Sequence, residues 1–255
     1  MINKISNVSD NAKSLIIFVV FIVIIEILLR FLGVASYIFP KPTEVWFALQ
    51  SQPNDIGVAW LITMTETIVG LGIALIISTL LAAATVFLPN SIARIINTIG
   101  TAIQSTPLLA IAPLLSLWLG QSLATKAAAS CIVCFFPLLT GWLTGMRSVD
   151  VEKLELFENM QASKWQQMIF LFVPSALPYF FGGLRVAMPL ALLGAIVGEF
   201  VGASEGIGFR ILSNSYYVRT PLMFAYVIIA ALTSLGLTGI IAIIEKKVLF
   251  WHGEI

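Results

Sequence analysis

Apolar residues along this chain gather into long runs separated by short polar stretches. A membrane-spanning helix needs about 20 mostly apolar residues. Six runs meet that length, at about 14–33, 59–88, 95–119, 124–146, 178–201 and 222–245. The second is longer than one crossing, which predicts tilt or projection beyond the bilayer. The third carries Pro107 and Pro113, and a proline inside a helix frees a carbonyl and bends the axis. A kinked or broken third helix is therefore expected, held where neighbouring helices or a cavity satisfy the freed groups. The pattern predicts an all-α polytopic membrane protein with six transmembrane helices.

The longest polar stretch lies between the fourth and fifth runs, from Arg147 to about Gln167. Asp150 is placed as an N-cap, with Glu152 in the first turn where the helix dipole favours an acid. Val151, Leu154, Phe157 and Met160 recur every three residues, and Glu152, Glu155, Glu158 and Asn159 fill the other faces. That spacing predicts a short amphipathic helix. By periodicity alone it could lie flat on lipid or serve another surface. Pro174 and Pro178 follow and are expected to end one helix and orient the next.

Composition agrees with the pattern. Hydrophobic residues make up 59% of the 255, and charged residues 11%; mean hydropathy is +0.99. Surface grows too steeply with size for one soluble core to hide that much apolar side chain. A net charge of +1 leaves no electrostatic footprint for nucleic acid. Lys and Arg in short loops set orientation. With a cytoplasmic N-terminus, Lys4, Lys13, Arg94, Arg147, Lys153, Lys164, Lys246 and Lys247 fall inside, against Arg30, Lys41, Lys126, Arg210 and Arg219 outside. Both termini are thus expected inside, with residues 34–58 and 202–221 outside and Lys246, Lys247, Trp251 and His252 at an interface. The first run is too long for a signal-peptide core and is expected to remain uncleaved. Residues 1–13 read as a polar, loosely ordered segment and 14–255 as a single membrane domain, with no internal repeat.

Catalytic side chains are scarce. His252 is the sole histidine, and Cys131 and Cys134 sit mid-run, where thiols pack as small hydrophobes. Glu26 and Arg30 lie four apart and can pair on one helix face. Carboxylates inside a membrane mark function, because each costs about 2.5–3.5 kcal/mol at mid-bilayer. Glu199 is one candidate for the translocation pathway or for a structural role near the outer mouth, and Glu66 has no partner in the local sequence. Gln104, Ser105 and Thr106, beside Pro107, could line a cavity or bond between helices. Gly182 and Gly183 read as close packing. An intramembrane hydrolase would need a nucleophile and base or paired acids. A secondary carrier would show inverted repeats; neither pattern is evident. No Gly-x-x-x-x-Gly-Lys-Ser/Thr phosphate loop occurs, so the chain holds no nucleotide site of that type.

Five segments in order resemble bacterial ABC-importer permease subunits. They are Phe39-Pro40-Lys41-Pro42-Thr43-Glu44-Val45; Pro107-Leu108-Leu109-Ala110 with Trp118-Leu119-Gly120; Ala162-Ser163-Lys164-Trp165-Gln166; Val173-Pro174 through Gly183-Leu184-Arg185 to Val197-Gly198-Glu199; and Gly206-Ile207-Gly208. The third and fourth resemble the family's "EAA" loop and the helix after it. Glu155-Leu156-Phe157 stands where the family has Glu-Ala-Ala, and Gln161 where it has a turn glycine. The resemblance implies the type I ABC-importer permease fold and a non-enzymatic transport subunit of the bacterial plasma (inner) membrane. It implies a cytoplasmic coupling loop at about 147–172, with Glu155, Leu156, Phe157, Gln161, Ala162, Ser163 and Trp165 nearest a separate ATPase. ATP and Mg would lie on that ATPase and no cofactor on this chain. Implied partners are cytoplasmic ABC ATPase subunits, a second permease copy (a homodimer), an extracytoplasmic solute-binding protein and the lipid bilayer. The nearest branches are those for nitrate, sulfonates and taurine and those for riboflavin and thiamine-pyrimidine precursors. Leu156-Phe157 and the ending Leu249-Phe250-Trp251-His252 look more like the latter, so a small, largely uncharged heterocycle is the expected cargo.

Overall fold

The computed structural model describes residues 2–88 and 90–250, and they are almost wholly helical. The elements are α1 (Ile2–Phe31), α2 (Pro42–Ser51), α3 (Pro53–Phe87), α4 (Asn90–Ser105), α5 (Leu108–Leu119), α6 (Leu123–Arg147), α7 (Val151–Asn159), α8 (Lys164–Gln167), a π-helical turn (Met168–Phe172), α9 (Val173–Phe200), α10 (Ile207–Tyr216) and α11 (Thr220–Val248). Four helices are long and apolar enough to cross a membrane: α3, α6, the continuous helix Lys164–Phe200, and α11. The third expected span is broken as its prolines require. Arg94–Ser105 and Leu108–Leu119 meet at 96°, with Pro107 at the N-cap of α5. With α1, which carries the first expected run, the arrangement is compatible with six.

Two expectations change. Pro174 and Pro178 do not end a helix, because Lys164–Phe200 runs through both. The π turn immediately before α9 shifts the hydrogen-bonding register, and Pro174 falls at the second position of α9, directly after that turn. Pro178 remains inside α9. The helix of α1 also begins at Ile2, through a polar segment with no glycine or proline to stop it. Trp251 and His252 lie outside the described residues.

The residues group into two compact units, Met1–Gly57 with Arg210–Ile229, and Val58–Phe209 with Ala230–Ile255. In the first, Glu26 ties α1 to α2: its carboxylate accepts from Arg30 Nε at 2.6 Å and from the backbone N–H and hydroxyl of Thr43 at 3.1 and 3.0 Å. Pro42 opens α2, and Glu44 reaches back to accept the Lys41 N–H at 3.1 Å, one half of a capping box. Burial opposes the charge on Glu44, but the Lys41 side chain, the Ser36 hydroxyl and the Lys41 N–H hold its carboxyl below the ordinary range. Val45 and Ala48 pack with Ala225. Asp55 accepts from Arg210 and from the Tyr226 hydroxyl.

The second unit is built on α6 and α9. Small residues let the two backbones approach closely. A Cβ on Gly145 would stand 2.5 Å from Ala176 Cα, and one on Gly141 2.8 Å from Tyr179 O. Cys134, Leu138, Leu139 and Trp142 of α6 bury against Leu184, Ala187 and Ala191 of α9. Cys134 is fully buried there, as packing cysteines require, and Cys131 is half-buried. By contrast α11 buries little of its apolar length, leaving Leu232, Leu235, Ile240 and Ile243 exposed.

Candidate functional site

Two regions of the second unit gather the polar groups that the sequence marks. The first is the loop around α7. Asp150 is its N-cap residue, but its side chain makes no cap hydrogen bond and pairs instead with Lys153 Nζ at 2.7 Å. Leu154 and Phe157 turn inward and are half-buried, whereas Val151, Leu156 and Met160 are exposed. The apolar stripe expected on one face is thus divided, and Leu156 (56% exposed) presents a large side chain outward.

The helix ends at a left-handed residue. Gln161 has φ 54°, and the Ala162 N–H donates to Phe157 O at 2.9 Å, the long hydrogen bond of a Schellman termination. Ser163 then caps α8, with reciprocal hydrogen bonds to Gln166 at 2.7 and 3.3 Å. Trp165 stacks on Phe87 with centroids 6.5 Å apart and remains 62% exposed. Arg94, Arg147, Glu158 and Lys164 border a groove of about 750 Å³ beside this loop. Glu155, Leu156, Phe157, Gln161, Ala162, Ser163 and Trp165 therefore share one short, tightly terminated loop, which presents the apolar side chains of Val151, Leu156, Met160 and Trp165.

The second region is a buried polar cluster that the sequence reading did not assemble. Glu199, 1% exposed, accepts from the Thr63 hydroxyl at 2.6 Å and from the Gly208 N–H. Thr63 in turn accepts the Ile207 N–H at 2.8 Å. A Cβ on Gly206, which has φ +108°, would collide with the Glu199 carboxyl. Glu199 thus anchors the N-terminus of α10, where an acid complements the helix dipole. Glu66 (5% exposed) approaches it side chain to side chain. Lys126, counted above among loop residues, is instead 4% exposed in the first turn of α6, its Nζ donating to Gln121 O at 3.1 Å.

Gln104, Ser105 and Thr106 lie exposed at the break between α4 and α5. The two hydroxyls bond back to Thr101 O and Ala102 O in their own helix, both at 2.9 Å, and make no bond between helices among the described residues. Gln104 lines a groove of about 390 Å³ with Thr140, Tyr179 and Gly182. Both Gly182 and Gly183 border that groove, Gly183 packed against Pro137 and Gly182 facing open space. Among the described residues no cluster of His, Cys, Asp or Glu could hold a metal.

Residues 74–250 match the family described as the binding-protein-dependent transport system inner membrane component. The chain belongs to that family. Among its relatives, the formylaminopyrimidine transport permease protein ThiX of Halalkalibacterium halodurans is 34% identical over 92% of this chain and 94% of its own. The riboflavin transport system permease protein RibX of Chloroflexus aurantiacus is 34% identical over 59% of this chain and 56% of its own. The putative aliphatic sulfonates transport permease protein SsuC of Bacillus subtilis is 30% identical over 60% and 55%. The chain is thus a multi-pass permease subunit of an ABC importer, a transport component of the inner membrane.

Proposed function

We propose that this permease forms the translocation pathway for a small, largely uncharged heterocycle, a vitamin or its pyrimidine precursor, and that residues 150–166 receive the stroke of a cytoplasmic ATPase. Two copies of the chain, each with one such loop, engage two ATPases. Closure of these on ATP and Mg draws the loops together and turns the central cavity from the inside to the outside, where a solute-binding protein delivers the ligand. In this arrangement both termini are cytoplasmic. Exposed Leu156 and Trp165 on a rigidly terminated loop support the coupling role, because apolar side chains held outward suit a socket on a partner.

The observation that carries the cargo reading is the near end-to-end similarity to a formylaminopyrimidine permease. The charge pattern also favours it. Arg185, in the middle of α9, is paired with Glu245 at 2.6 Å, so its charge is already countered by an acid. Titrating the cognate binding protein with thiamine pyrimidine, riboflavin, taurine and nitrate tests the reading. Micromolar binding of a heterocycle is expected; binding of taurine or nitrate alone would overturn it. Similarity to the sulfonate permease makes a sulfonate the second reading. An ATP-independent carrier would keep transporting without ATP, whereas this permease stops.

A further inference from the structure

Beside the Glu66–Glu199 pair lies a cavity of about 360 Å³, lined by Leu61, Thr65, Glu66, Gln121, Lys126 and Ser204 among others. That volume is at the lower end of small-molecule sites, which run from about 300 to 1,000 Å³. Glu199 does not line it, being occupied by Thr63 and Gly208. Glu66 does line it, and although its carboxyl lies against that of Glu199, its buried Oε2 accepts from no N–H or hydroxyl donor among the described residues. A buried acceptor left without a donor costs about 1–3 kcal/mol, so a lone one bordering a cavity is suited to a donor arriving from outside. Lys126 borders the same space and gives one proton to Gln121 O. An ammonium carries further donors for a second acceptor.

We propose that this cavity is a cargo subsite for a small aminoheterocycle, with Glu66 receiving the amino group and adjacent ring nitrogen and Lys126 an acceptor elsewhere on the molecule. The proposal rests on the heterocycle reading above. An amino group beside a ring nitrogen places a donor and an acceptor side by side, at the spacing of a carboxyl group's two oxygens. Two parallel hydrogen bonds form whichever partner holds the proton. The ring lies against Leu61, Ile62 and Leu123, which line the cavity as well. Nitrate and sulfonates fit less well, since two acids, Glu66 and Glu205, border the space against one cation, Lys126.

The test compares two probes, 4-amino-2-methylpyrimidine and 2,4-dimethylpyrimidine, which differ only in the amino group. Each is titrated by equilibrium dialysis against the assembled permease–ATPase complex carrying wild-type chain, Glu66→Met or Glu66→Gln. Wild type should favour the amino probe by about tenfold, the upper range for the net gain of one hydrogen bond. Glu66→Met should bind both probes alike. Glu66→Gln keeps a donor and an acceptor side by side and should retain the preference. Unchanged discrimination in Glu66→Met, or equal weakening of both probes, overturns the subsite. Should Glu66→Met fail to assemble, Thr65→Trp fills the cavity from an exposed position and should abolish binding of the amino probe; undiminished binding there overturns the subsite too. The cognate binding protein, titrated with the same probes, separates the two claims. If it takes the aminopyrimidine while the permease shows no amino preference, only the subsite falls. If it takes neither pyrimidine but binds taurine or nitrate, the cargo reading falls.

Discussion

Gln161 holds a conformation that costs an L-residue about 1–2 kcal/mol, yet it sits where the chain must reverse between α7 and α8. Gln161→Gly should relieve that strain at the expense of greater freedom in the unfolded chain, about 0.5–1 kcal/mol. The expected net gain is about 0–1.5 kcal/mol, read as a small rise in the thermal unfolding midpoint of the purified permease. A fall would mean the glutamine side chain contributes more than its backbone costs. Thr63 is the other residue on which much turns, since its hydroxyl both donates to Glu199 and accepts from Ile207. Thr63→Val keeps the shape and leaves both partners short of one bond, at about 1–3 kcal/mol for each buried group. Thr63→Ser keeps the hydroxyl and should unfold at nearly the wild-type temperature, whereas Thr63→Val should unfold well below it. Equal midpoints would mean that another group replaces the hydroxyl.

Among the elements, α7 and the α6–α9 seam give the clearest tests. Phe157 is half-buried in its own loop while Leu156 points outward, so Leu156→Asp probes the ATPase contact without disturbing the fold of α7. It should reach the membrane in normal amount but lose the co-purifying ATPase, because a charge would enter an apolar socket unpaired. Retention of the ATPase and of transport would show that α7 merely rests on lipid. At the seam, Gly145→Leu would push α6 from α9, where even a Cβ would stand 2.5 Å from Ala176 Cα. A loss of about 1–3 kcal/mol or more is expected, seen as poor accumulation and a lowered midpoint. The long spans were legible because burial in lipid requires unbroken apolar length. The break at Pro107 was legible for the same reason that prolines bend helices. What Pro174 and Pro178 would do was not, because a π turn at Met168–Phe172 leaves no local signature that tells it from ordinary helix.

For the whole molecule, the short helix of the α7 loop was readable from contiguous residues, but the buried cluster brings together Thr63 and Glu199, and Lys126 and Glu66, across long stretches of chain. One signal existed: intramembrane charges without local partners should find one another. Lys126 escaped it because it stands at the edge of its apolar run, where a hydropathy window cannot tell a loop lysine from a buried one. The expected orientation, with both termini cytoplasmic, rests on the cations flanking the spans. Single cysteines in a chain with Cys131 and Cys134 replaced by alanine test this directly. Asn214 is a poor probe, because its side chain is buried and bonds to Arg210 O at 2.7 Å. Ser51 and Ser215 are exposed and should react with an impermeant thiol reagent added outside intact cells. Asp150, also exposed, should react only after the membrane is opened. Labelling of Asp150→Cys from outside, with Ser51→Cys and Ser215→Cys protected, would invert the chain and move the α7 loop away from any cytoplasmic ATPase.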